Sequence, residues 1–574
     1  MTKLVAWVRR YWPELLTFAA LATAIGICLS VNLTWMMVDS DGPEYVMDAK
    51  YLYPAHHTSA PLYLLTGHVF LMLPFGTDYW KMSLMSGVFT LGTCFFLYLI
   101  IRHFIQGNKG RWYGLLAALI FGGSMLAFAQ AIVVETYAVV TFFSVGAYYF
   151  SLKKKWYLVA AFLGMGLVTH HLILLTWIVL FIAHKELRFS RYRVFGKSVP
   201  FFSKYVLIGA AFLLFYLYMP LSVRFTDQPN MWGNTGLKDF FTNNIGVFTM
   251  LVGQLSIYDF PKRVLDTLGV LGVSFAVASI PLIWWLWKNH KLRTELMWLF
   301  LLPIAYQVAD LAPQVMKYQE ASIAWGAIMA VLALSQMGGV RRFFNKKVLI
   351  GATAVGAVAM LGVNTYVLDI GNHLDPNLSA TEFYQEELPK MQDGDIFVTN
   401  GAWEWILVFL YNKEEGHSII PVCMGILPSE RYRNLLRERG VVIDEIPLGL
   451  EGTRSHNLNE QQVYYSLNIV DKNQNVWTSR STDPSTYGAE VVVADTNRDQ
   501  FLKWLGHDIV RPAWHWKPTN PYFVVGGQVE TTEWIFILQS NRTVIWLATL
   551  VGLGWIAGWA VSQLRRRSGK AKKG

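Results

Sequence analysis

Asp39, Asp41 and Glu44 stand close together just past the first long apolar run of the chain, and Asp48, His56 and His57 follow in the same segment. Further along, Glu135, the pair His170-His171, Arg224, Asn230, Asp310 and Lys317 lie at the ends of apolar runs or in the segments between them. These residue types handle protons and phosphates. A hydroxyl is a poor nucleophile, and a positioned carboxylate can take its proton as attack proceeds. Arginine suits bidentate phosphate contacts. Taken singly, each residue also has a plainer role. A carboxylate past a span is often a solvated end, and a histidine pair can be interfacial or core. Glu135 or Asp310 can be the partner of a buried base, and Asp48 reads as a surface residue. Asp39-Ser40-Asp41 is a D-x-D string able to take a divalent ion, but no convincing ligand set accompanies it, so neither a metal nor another cofactor is assigned. Cys28, Cys94 and Cys423 are far apart and form no metal or disulfide pattern.

The elements that must position these residues are apolar helices. Of the 574 residues, 53% are hydrophobic and 15% charged, with mean hydropathy +0.32; soluble domains carry about 25% charged residues. Runs near span length fall at 14–37, 81–102, 112–131, 136–152, 156–172, 172–184, 203–221, 265–288, 294–311, 320–337, 347–368 and 543–564, predicting about 12 transmembrane helices. The net charge of +10 does not point to nucleic acid, because Lys and Arg cluster between the runs. Arg9-Arg10, 102–111, Lys153-Lys154-Lys155, 184–197, 288–293, 341–347 and 565–573 are basic and fall at every second boundary, which places them and both termini on the cytoplasmic side. The loop 38–79, Glu135, His170-His171, the segments 222–263 and 312–319, and the stretch 369–537 then face outward, so the candidate residues gather on one face of the membrane. Short apolar runs such as 395–399 and 489–494 predict an extracytoplasmic α/β domain over 369–537. It follows a transmembrane domain over 1–368 and precedes a last helix with a basic tail over 538–574.

The first outer loop reads Asp41-Gly42-Pro43-Glu44, then Ala49, Leu52, Ala55-His56 and Pro61-Leu62-Tyr63. It resembles, without a gap, the first-loop signature of a family of membrane proteins once known only as a domain of unknown function, which includes an animal protein O-mannosyltransferase. That family has Pro-Pro-Gly where this chain has His57-Thr58-Ser59. Weaker likenesses are Val134-Glu135-Thr136-Tyr137, Gly166 to His171, Tyr216 to Leu221 with Pro229 to Asn234, and Gly394 to Gly401; Ser222 stands where the family often has Arg. The resemblance implies a C-type glycosyltransferase fold, a lipid-phosphate-linked sugar as donor and an essential acid in the first outer loop.

On that reading Asp41, at the family's acidic position, is the general base, and Glu44 orients it or is itself the base. If the segment is helical, the spacing puts both on one face. Arg224 and Lys317 would hold the phosphate, where a cation offsets developing charge. His56, His57, Glu135, His170, His171, Asn230 and Asp310 would line the donor pocket. The expected function is transfer of a sugar, mannose by the resemblance, to a hydroxyl of an exported protein or glycan at the outer face of the bilayer. A ligase or polymerase of lipid-linked glycans, and a flippase for lipid-linked oligosaccharides, are the alternatives. A flippase would carry inverted repeats and midplane charges, and neither stands out. No glycine-rich phosphate loop appears, which argues against a nucleotide-sugar donor.

Overall fold

In the computed structural model the described residues are scattered positions within 12–33, then 41–55, 60–184, 191–194, 197–200, 203–225, 320–336, five positions within 351–362, 383–399, 402–423, 430–446, 464–469, 476–479 and 489–491. The expected spans at 265–288, 294–311 and 543–564 lie outside them, and of 347–368 only Gly351, Val355, Val358, Leu361 and Gly362 are described, all helical.

The described chain is mostly helical: α1 (Phe18–Ser30), α2 (Gly42–Tyr51), α3 (Pro61–Leu71), α4 (Asp78–Phe104), α5 (Gly107–Gly122), α6 (Met125–Ala131), α7 (Tyr137–Leu152), α8 (Trp156–Leu167) and α9 (Ile173–Ala183). Among the described residues, Asp78–Phe104 and Tyr205–Ser222 are long and apolar enough to cross a membrane. The predicted span 112–131 is not one helix. Gly122 and Gly123 end α5, and the Ser124 hydroxyl accepts the Ala127 N–H to start α6.

Helix α4 is the spine. The Thr77 hydroxyl caps it by accepting the Trp80 N–H at 3.2 Å, and Arg102 and His103 sit in its last turn, where cations suit the helix dipole. Against it pack α5, α7 and the helix Glu320–Gln336. Phe96, Phe142 and Phe162 form an aromatic knot with ring centroids 5.3–5.7 Å apart, and Trp325 meets the Tyr148 ring edge-on at 5.4 Å. Helix α8 lies against the helix Ser203–Ala211 so closely that a Cβ on Gly164 would fall 2.8 Å from the Gly209 carbonyl oxygen. Small residues permit such backbone approach between apolar helices. Gly164→Val is therefore expected to cost about 1–3 kcal/mol by overpacking, read as a lower melting temperature in detergent.

Beyond the helices, β1 (Ile396–Thr399) runs parallel to both β2 (Ile420–Cys423) and β3 (Val476–Ser479), and β4 (Ala489–Val491) is antiparallel to β3. The helix Ala402–Glu415 connects β1 to β2 and buries Leu407, Val408 and Tyr411 with Phe383, Phe397 and Ile419. The strands β1 and β4 fall on the stretches the sequence predicts as strands. Helix α2 packs directly on Ala402–Glu415, so the first loop touches this α/β unit.

Candidate active site

The first loop folds into α2 and α3. Pro43 in the first turn fixes φ where no helical donor is needed. Asp41 holds the N-cap position without capping through its side chain, and Glu44 lies in the first turn. The spacing of Asp41, Glu44 and Asp48 sets them along one helical face. Asp41 is partly exposed, whereas Glu44 and Asp48 are buried. The surface position expected of Asp48 is thus corrected, because α2 packs that face inward against α3 and α4.

Helix α2 stops at Leu52, whose φ of 59° lies in the left-handed region. A leucine is strained there and persists only where its surroundings hold it. The Ser222 hydroxyl donates to the Leu52 carbonyl, the Tyr218 hydroxyl donates to the Tyr53 carbonyl at 2.8 Å, and the Tyr53 N–H donates to the Asp48 carbonyl at 3.0 Å. Ser222, at the position where the resembling family often has Arg, therefore braces the loop. The Leu62 N–H donates to the Val168 carbonyl at 3.2 Å, which stitches α3 to the end of α8 beside His170.

These braces bring separate stretches together around Tyr45. Its buried ring meets Tyr63 edge-on at 5.1 Å. Burial, and then the nearby Asp41, Glu135, Tyr137 and Glu44, raise the Tyr45 phenol well above its ordinary value. Tyr45 is thus a neutral hydroxyl set among carboxylates from α2 and from the turn before α7. Glu135 is itself buried. The Tyr137 ring stands 5.3 Å from His170, which stacks on His171 at 4.4 Å. The Leu172 N–H donates to His170 Nδ1 at 3.2 Å, so in the neutral ring the proton sits on Nε2. The structure therefore gathers Asp41, Glu44, Glu135, His170 and His171.

Arg224 is not in this group. It is exposed, with its guanidinium carbon 5.9 Å from the Phe225 ring centroid, and among the described residues it makes no ion pair. Asp39, His56, His57, Asn230, Asp310 and Lys317 lie outside the described residues. Among the described residues no group of three or more His, Cys, Asp or Glu side chains is disposed to hold a metal ion.

Residue-type reasoning passed over Tyr45, Tyr137 and Lys50. The tyrosines are adjacent or near-adjacent to Glu44 and Glu135 in sequence, which was the available signal. Lys50 has no local signal at all. It pairs with Asp78 at 3.0 Å and also with Glu414, far along the chain. The Tyr384 hydroxyl donates to the other oxygen of Glu414 at 3.0 Å.

Residues 41–186 match the family model described as the Protein O-mannosyl-transferase TMEM260 N-terminal domain. This segment is thus similar to the N-terminal domain of that family. The resemblance read from the first loop is thereby borne out, and the TMEM260-type segment contains Asp41, Glu44, Glu135, His170 and His171. No curated protein matches the chain significantly. Among solved structures, ArnT from Cupriavidus metallidurans bound to undecaprenyl phosphate is 13% identical with a TM-score of 0.43, covering 75% of this chain and 92% of that one. The oligosaccharyltransferase AglB from Archaeoglobus fulgidus, in complex with an inhibitory peptide and a dolichol-phosphate, is 12% identical with a TM-score of 0.45, covering 76% and 70%.

Proposed function

We propose that the chain is a membrane glycosyltransferase of the C-type fold that moves mannose from a polyprenyl-phosphate donor to a Ser or Thr hydroxyl of an exported protein, on the outer membrane face. The observation that carries this reading is the convergence of Asp41, Glu44 and Glu135 on Tyr45 within the TMEM260-type segment. Asp41 is the base. It combines the family's acidic position with partial exposure, whereas Glu44 is buried behind it. As the acceptor oxygen attacks the anomeric carbon, Asp41 takes the hydroxyl proton. The sugar–phosphate bond breaks through an oxocarbenium-like transition state. The lipid phosphate leaves as an anion, so no general acid is required. Tyr45, held neutral beside the carboxylates, does not compete for the proton. The apolar helices and the alternation of basic segments support a polytopic protein with both termini cytoplasmic and the site outside.

The test is direct. Purified protein in detergent receives radiolabelled polyprenyl-phosphate mannose and a pool of exported Ser/Thr peptides. Label on peptide is the expected result. If mannose stays on the lipid while another lipid-linked sugar is transferred, the donor is reassigned. Silence with every donor overturns the enzyme reading in favour of a transporter.

A further inference from the structure

Where α2 meets the α/β unit, a cavity of about 560 Å³ opens between the two. Tyr51 and Tyr53 of the first loop form one wall, and Phe409, Lys413, His417 and Arg439 line the other. Among the described residues that line it, the charged side chains are all basic and none is a carboxylate. The potential acceptors nearby are already engaged. Asp393 takes the Ser418 N–H at 3.0 Å and His417 Nδ1 at 3.1 Å. The Asn412 amide bonds both ways to the Ile419 backbone. Lys413 Nζ stands 5.5 Å from the Tyr51 ring centroid, and the Arg439 guanidinium 5.4 Å from that of Phe409. An arginine laid on a ring keeps its N–H edge for a planar oxyanion, and among the described residues no carboxylate pairs with Arg439. The walls thus offer aromatic faces for a flat or extended ligand and a forked donor for an acid.

The position of the cavity adds a length. Tyr51 ends the helix that Asp41 and Glu44 begin. At 1.5 Å per residue the two ends are roughly 10–15 Å apart, the span of about three or four residues of extended peptide.

We propose that this cavity receives the acceptor as an extended peptide, stacked on Tyr51, whose acidic side chain three or four residues from the modified hydroxyl is held by Arg439 while the hydroxyl reaches Asp41. This rests on the acceptor reading above, so its test reads binding and not transfer. Dye-labelled Ser/Thr peptides carrying Glu four residues from the hydroxyl, and Gln counterparts, are titrated with the full-length protein in detergent by fluorescence anisotropy. The Glu peptide is expected to bind about tenfold more tightly, as suits a charge-assisted pair. Arg439→Gln should erase the preference and Arg439→Lys keep part of it. Tyr51→Leu should weaken both peptides alike. Moving Glu to one or eight residues from the hydroxyl should also remove the gain. Equal binding of Glu and Gln peptides by the wild type overturns the proposal, as does a preference that survives Arg439→Gln. Displacement of the peptide by polyprenyl phosphate would give the cavity to the donor instead. A protein that prefers the Glu peptide but transfers no sugar upholds the cavity and overturns the donor assignment. One that transfers sugar without the preference does the reverse.

Discussion

Asp41→Asn is expected to lower the rate of sugar transfer about 10²–10⁴-fold, the usual worth of a positioned general base. The carboxamide keeps the shape of the side chain, and asparagine is a good residue at a helix N-cap. Helix α2 should therefore stay in place, with Glu44 and Tyr45 where they are. What is lost is the proton acceptor. The loss should fall on the turnover rate, with donor affinity little changed, because no donor contact is removed. Glu44→Gln is the necessary comparison. A buried orienting residue should cost less than the base, with a drop of about 10–100-fold. Initial rates of label transfer for both variants decide the assignment. If Glu44→Gln is dead and Asp41→Asn nearly normal, the base is Glu44. If both variants work, the first loop does not supply the base.

The second large effect concerns Lys50. Its ammonium sits between Asp78 at the start of α4 and Glu414 on the helix Ala402–Glu415. Burial alone would lower its pKa, but the hydrogen bonds to Glu414 and Asp78 outweigh that and hold it well above the ordinary lysine value. Lys50→Glu would set three carboxylates together and push the α/β unit off the first loop. Transfer efficiency is expected to fall about tenfold or more, since repulsion replaces an attraction between like-placed groups. Limited proteolysis should then cut more readily between the helices and the α/β unit. The pair swap Lys50→Glu with Glu414→Lys restores one attraction and should recover much of the loss. An unchanged rate and an unchanged proteolytic pattern would show that the contact does not hold the two parts together. The pH dependence has a definite sign. A raised lysine pKa contributes stability that is fully present below the unfolded lysine value and lost as pH rises through the folded one. The lysine's contribution to the clamp should therefore survive neutral pH and give way only in strong alkali, followed by proteolytic susceptibility.

Much of the fold and part of the site were legible from residue order. Apolar runs near span length mark where helices form, since backbone groups away from water must be satisfied within the segment. Where the predicted spans are described, most of the described positions are helical. The α/β pattern around 395–399 is also seen. Asp41 and Glu44 stood out because they fall on the resembling family's first-loop signature and their spacing matches a helical face. Local chemistry showed less clearly where helices break. Gly122-Gly123-Ser124 divides one predicted span in two.

The sequence by itself determined which segments are apolar, which acids stand in the first loop and which family's N-terminal domain residues 41–186 resemble. Only the tertiary structure decided that Tyr45 lies among these acids, that Asp48 is buried, that Ser222 props a strained Leu52, and that Lys50 reaches Glu414. The reason is one of range. Periodicity and capping act over a few neighbouring residues and can be read along the chain. Contacts between residues hundreds of positions apart depend on how helices pack side by side, and no local pattern carries that information.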